Sequence, residues 1–179
     1  MPFEITNVYK EHFPALRLIG KRYTNDDRGK DGFGKQWKEW MTEDRFRAMR
    51  QAVDVTPFDE STLGLMTTGG DMTDFTYWIG LFYPADTKVP EGYDHLDLPE
   101  SNVGNGWSRG TPETGEISGG PPHDAVCKKL SEAGMGHFRN DLAGEGSNTY
   151  CFFERYDSLR FCTPDENGNV TLDYGIYIV

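Results

Sequence analysis

Residues 75–83, FTYWIGLFY, are the most strand-prone run in the chain. Aromatic and β-branched residues suit the pleated surface of a sheet. Alternation puts Phe75, Tyr77, Ile79 and Leu81 on one face, with Trp78, Gly80 and Phe82 on the other, and Pro84 ends the run. Just upstream, Leu63–Thr68, LGLMTT, reads as a second strand closed by the turn signal Gly69-Gly70-Asp71. Before that the period changes. Trp37, Trp40 and Met41 recur at helical spacing, Thr42-Glu43-Asp44 looks like a fresh cap, and RFRAMRQAV continues with Phe46, Met49 and Val53. The Trp37/Trp40/Met41 face is expected in the core, with its upper edge free to border a ligand. A charged turn, NDDRGKDG at 25–32, precedes the helix, and PALRLIGKRYT at 14–24 is the first strand. The first half thus reads strand, helix, strand, strand.

The second half repeats that order after a polar connection over 84–100. NVGNGWSRG at 102–110 is a strand weakened by glycines, with Trp107 as its one large side chain. A Gly/Pro-rich loop spans 111–122. HDAVCKKLSEAGM at 123–135 is helical, with Ala125, Val126, Leu130 and Ala133 as its apolar face. A strand lies within 147–157, and TLDYGIYIV at 171–179 is the last strand, after a turn at 165–168. Equal element order suggests an internal duplication. The expected fold is α+β in one domain over 1–179, with repeats at about 14–84 and 100–179. A pseudo-twofold relates two strand-helix-strand-strand units, giving antiparallel sheet, two main helices on one side and a central groove.

Composition narrows the function. The 179 residues suffice for one sizeable core. Lys and Arg number 18 against 29 Asp and Glu, a net charge of -11, which argues against nucleic acid or anionic membrane as the main partner. Aromatic residues make up 13%, including 9 Tyr and 4 Trp, more amphipathic rings than a core requires. Cys127, Cys151 and Cys162 show no CxxC and no zinc-finger spacing. The N-terminus carries charges where a signal peptide needs an apolar run, and nothing approaches a membrane span of ~18 apolar residues. A reduced, cytoplasmic protein is expected. His12, His95, His123 and His137 are scattered, no HExxH or GxSxG occurs, and GGPP at 119–122 is a loop rather than a phosphate cradle. No metal or cofactor is expected, and Cys127 reads as structural.

One residue resists the strand pattern. CFFERYD at 151–157 places Glu154 among Phe152, Phe153 and Tyr156. Strand interiors disfavour Glu, and an unpaired buried carboxylate is costly. Either Glu154 is an exposed edge residue paired with Arg155 or Arg160, or it is held as a charge among aromatic rings. The second arrangement suits a delocalised organic cation, because rings add cation–π attraction of about 0.5–2 kcal/mol per contact.

PALRLIGKRY, FGKQWKEW, FTYWIGLFYP, the LPE of Leu98–Glu100, FFERYD and DYGIYIV follow one another in an order that resembles the GyrI-like small-molecule-binding domain. This is also called the effector-binding domain of AraC-type and MerR-type bacterial multidrug regulators. The resemblance implies a pseudo-twofold domain whose aromatic groove holds a glutamate facing lipophilic, cationic ligands; Glu154 matches that glutamate. Tyr156 on the same face lines the same wall, and Tyr177 matches another groove residue. Tyr77 or Trp78 stands opposite, and Trp107 and Trp40 border the groove. Such regulators carry a DNA-binding helix-turn-helix, and this chain has neither that motif nor a basic patch, so it reads as a stand-alone binding module. The resemblance admits two other functions. One is a hydrolase of cyclopropane-bearing genotoxins with Glu154 as general base. The other is a protein-binding module, with a regulator or DNA gyrase as partner. The Gly/Pro-rich loop is a candidate lid.

Overall fold

The computed structural model describes residues 2–70, 72–114, 116–142 and 149–179. Asp71 of the expected turn, Gly115 of the loop, and Ser147 and Asn148 of the expected strand lie outside them. The elements are β1 (Phe3–Phe13), β2 (Leu16–Thr24), α1 (Gly34–Thr42), α2 (Arg45–Ala52), β3 (Thr62–Thr68), β4 (Thr76–Pro84), β5 (Asp94–Leu98), β6 (Ser101–Gly110), α3 (Gly120–Glu132), β7 (Tyr150–Tyr156) and β8 (Val170–Ile178). Among the described residues no helix is long and apolar enough to cross a membrane.

Among the described residues eight strands join one antiparallel sheet in the order β1-β6-β8-β7-β3-β4-β2-β5. Outward from the β3–β7 pair, the order is β3-β4-β2 on one side and β7-β8-β6 on the other. That is the expected pseudo-twofold, with each repeat's last strand between its first two. Two further strands complete the sheet. β1 precedes the first repeat but pairs with β6 of the second, and β5 precedes the second repeat but pairs with β2 of the first. The halves are therefore cross-strapped by their own leading strands.

Both added strands had a physical reason to stay hidden in the sequence. The register of β1 shifts between Ile5 and Asn7. This bulge puts Phe3, Ile5 and Val8 on one face, a spacing that breaks the period of two. β5, DHLDL, is a five-residue polar edge. Charges and shortness are what protect a sheet edge from wrong pairing.

The expected first helix is two helices. Asp44, at φ 53°, lies in the left-handed region and breaks the chain between α1 and α2. Trp40 is buried as expected, but Met41 is 66% exposed. The helix ends one residue later, so nothing packs over Met41. α3 starts at Gly120, three residues before the expected boundary, because Pro121 and Pro122 fit its first turn, where their missing N–H groups are not needed.

Both faces of the sheet are apolar. The α-helices of the described residues lie on one of them: α1 and α2 cover Ile19, Met66, Tyr77, Ile79 and Leu81, and α3 covers Leu172, Tyr174 and Ile176. The row Met66–Phe152–Ile176 runs across both halves and joins the two clusters. The opposite face packs Phe13, Leu18, Leu65, Trp78, Phe82, Val103, Phe153 and Tyr177 into a separate core. The glycines that weaken β6 as a strand are what allow α3 to dock. A Cβ at Gly104 would stand 3.0 Å from Leu130, and one at Gly106 would collide with Val126.

Candidate functional site

Glu154 stands in β7, paired with Gly64 of β3, one step from the centre of the ladder that joins the two halves. Alternation along the strand sends Phe152, Glu154 and Tyr156 to the helix face, and Phe153 and Arg155 to the other. Glu154 is 7% exposed, so it is no edge residue. Three neutral donors converge on it. The Tyr156 hydroxyl donates to Oε2 at 2.8 Å; the Tyr174 hydroxyl and the Gly119 N–H donate to Oε1 at 3.1 and 3.3 Å. Gly119 is held at φ 92°, a conformation that favours glycine, at the start of α3.

Among the described residues no cation pairs with this carboxylate. Arg155 lies behind the sheet, where it reaches Asp173 at 3.1 Å, Asp59 at 3.2 Å, Tyr9 at 3.2 Å and Glu11 at 3.4 Å. Arg160 also turns to Asp173, at 2.6 Å. Burial therefore pushes the Glu154 carboxyl upward from its ordinary range. The bonds from Tyr156, Gly119 and Tyr174, with His123 nearby, offset only part of that rise.

Aromatic side chains close around the carboxylate. Trp37 of α1 sits edge-on to Tyr156, with ring centroids 4.8 Å apart, and its indole N–H donates to the Tyr77 hydroxyl at 2.8 Å. Phe161 packs edge-on behind Tyr156 at 4.7 Å. His123 of α3 lies 4.3 Å from the Phe152 ring. Gly64 is small for a reason: a Cβ there would run into the Tyr77 hydroxyl. Burial raises the Tyr77 phenol far above its usual value, helped by the negative charge of Glu154.

Of the residues singled out in the sequence, Glu154, Tyr156 and Tyr77 meet in this cluster. Trp78 points to the opposite face, where its N–H donates to the Thr76 hydroxyl at 3.1 Å. Tyr177 is on that opposite face too, beside Phe13 and Phe153. Trp107 also lies there, packed on Tyr9 with the Arg160 guanidinium 5.1 Å above its ring. Trp40 is sealed in the core under α1, its N–H donating to Tyr23 at 3.0 Å. Sequence reasoning passed over Tyr174 and Phe161, placed Gly119 only in a loop, and put Trp37 on a core face whose upper edge could border a ligand. Tyr174 and Tyr177 differ by three positions and so face opposite ways; only the pairing of Tyr174 with Glu154 selects the right one. A separate hollow of about 620 Å³ opens between β1 and α3, lined by Phe3, Ile5 and Ala125, and holds none of these residues.

No known family profile and no curated protein sequence matches the chain. Solved structures do. A protein from Staphylococcus aureus MU50 described as a bacterial transcription regulation protein superposes with a TM-score of 0.60 at 16% identity, covering 96% of this chain and 97% of that one. SAV2435 bound to tetraphenylphosphonium gives 0.63 at 15% identity, over 97% and 94%. EcmrR, from a complex with DNA, gives 0.52 at 9% identity, and all of this chain covers 59% of that protein. At such identities the likeness concerns the fold. The chain has the fold of the GyrI-like, effector-binding domain.

Proposed function

We propose that this protein binds lipophilic organic cations in the aromatic cluster around Glu154, as a module for sensing or sequestering drugs or toxins. The observation that carries the reading is a buried carboxylate, ringed by aromatic side chains, that has no cationic partner among the described residues. A lipophilic cation supplies the missing charge, and rings supply area and cation–π attraction. The carboxylate counts for more in this low-dielectric setting than it would in water. Few directional bonds are required, so selectivity is broad. A neighbour of the same fold, SAV2435, has been solved with a cation of this class, tetraphenylphosphonium.

Trp37 touches Tyr156, so a ligand entering beside Glu154 alters its emission. Titration with rhodamine 6G or tetraphenylphosphonium is expected to quench tryptophan fluorescence with a Kd on the order of micromolar. Neutral compounds of similar shape, such as triphenylphosphine oxide, bind at least about tenfold more weakly. Equal affinity for charged and neutral compounds removes the cation from this account.

Hydrolysis of a strained, cyclopropane-bearing electrophile is a second reading of the same cluster. It draws on the upward shift of the Glu154 carboxyl, which suits a general base for water. Mass spectrometry of such a compound after incubation separates the two: a ring-opened product supports catalysis, and unchanged compound supports binding alone.

A further inference from the structure

The hydrogen bonds at Glu154 serve two protonation states. In the ionised state Tyr156, Tyr174 and Gly119 all donate to the carboxylate. The Tyr174 oxygen, however, also lies 3.3 Å from the Ile117 carbonyl oxygen and 3.4 Å from that of Gly119. One hydroxyl proton cannot serve three acceptors. If the carboxyl is protonated, its O–H can donate to the Tyr174 oxygen, and Tyr174 turns its own proton to one of those carbonyls. Glu154 and Tyr174 each keep a hydrogen-bond partner in both states, which eases titration inside a protein.

The surrounding groups leave room for that change of charge. Tyr156 of β7, Tyr174 of β8 and Tyr77 of β4 are neutral phenols raised by burial. His123 of α3 is the other titratable group acting on the carboxyl, and its Nδ1 lies 3.2 Å from Asp124. Arg155 and Arg160 are engaged by Asp173 behind the sheet.

Resting on the cation-binding reading above, we infer that the empty site holds a proton on Glu154 and exchanges it for the ligand. The reaction is Glu154–COOH plus L⁺ giving Glu154–COO⁻·L⁺ plus H⁺, with the proton delivered to solvent. The buried site thus carries the same net charge before and after binding. Two consequences distinguish it from a permanently ionised site: affinity rises with pH, and each ligand bound releases a proton.

Calorimetric titration with tetraphenylphosphonium in buffers of different ionisation enthalpy, from about pH 5 to about pH 8, counts the protons. Towards the acid end the count is expected to approach one per ligand, with affinity falling about tenfold per pH unit. The release persists in His123→Asn, which removes the other titratable group. Infrared difference spectra supply a second measurement. A carboxylic-acid C=O band is expected in the ligand-free protein, lost on adding tetraphenylphosphonium and absent from Glu154→Gln whether or not that variant binds. Binding that is independent of pH and releases no proton overturns the exchange and leaves the cation reading standing. A release that vanishes in His123→Asn while tetraphenylphosphonium still binds overturns it too. No binding of tetraphenylphosphonium at any pH overturns both.

Discussion

Glu154 is a single residue whose burial weakens the fold and whose charge suits a ligand, and the two effects can be measured apart. Its carboxyl is raised above the ordinary value of 4.5 mainly by burial. A raised acid contributes stability below its unfolded pKa, and that contribution is lost as pH rises through the folded value. Glu154→Gln keeps the shape and stays neutral at every pH. The melting temperature of the variant is therefore expected to match the parent in acid and to exceed it increasingly as pH rises. Asp97, Asp141 and Asp165 act in the opposite direction, being lowered by Arg17, by Arg139 and by the Asn169 backbone N–H respectively. They are present in both proteins and cancel in the comparison. A variant less stable than the parent at neutral pH contradicts the reading of Glu154 as an uncompensated buried carboxyl.

At the scale of the elements, the close fit between α3 and β6 rests on residues that lack side chains. Gly106→Val sets a branched side chain against Val126 and is expected to cost about 1–3 kcal/mol in a denaturant melt, the range for overpacking. A change below ~0.5 kcal/mol would mean that α3 docks loosely. Element type was legible wherever the period was clean: β3, β4 and β8 follow from alternation, and α1 from its tryptophans. Orientation was less legible. FTYWIGLFY is apolar on both faces, so its sequence does not say whether Tyr77 or Trp78 meets the ligand side. The helices settle that by covering Tyr77. Tyr174 became visible only through its register with Glu154, a contact between strands that no local pattern encodes.

For the whole molecule, the exchange of β1 and β5 between the halves predicts shared fate. Phe13 ends β1, which pairs with β6, yet its ring packs against Phe82 of β4 and Phe153 of β7, each at 5.9 Å, and Tyr177 of β8 at 6.4 Å. Phe13→Ala is expected to cost about 3–5 kcal/mol and to raise amide hydrogen exchange in strands of both repeats together. Increased exchange confined to residues 14–84 contradicts the cross-strapped architecture. The same architecture places Glu154 at the seam, where β7 of one repeat meets β3 of the other. The duplicated order and the glutamate were readable from sequence, whereas the closing of the cluster by Trp37 of the other half depends on how the halves meet. The central claim is that the carboxylate at this seam recognises positive charge. It is tested most directly by titrating the parent and Glu154→Gln with tetraphenylphosphonium and with neutral triphenylphosphine oxide at one neutral pH. The account predicts that the substitution weakens the cation by about tenfold or more and leaves the neutral compound nearly unchanged. Equal affinity of the two proteins for the cation would contradict it.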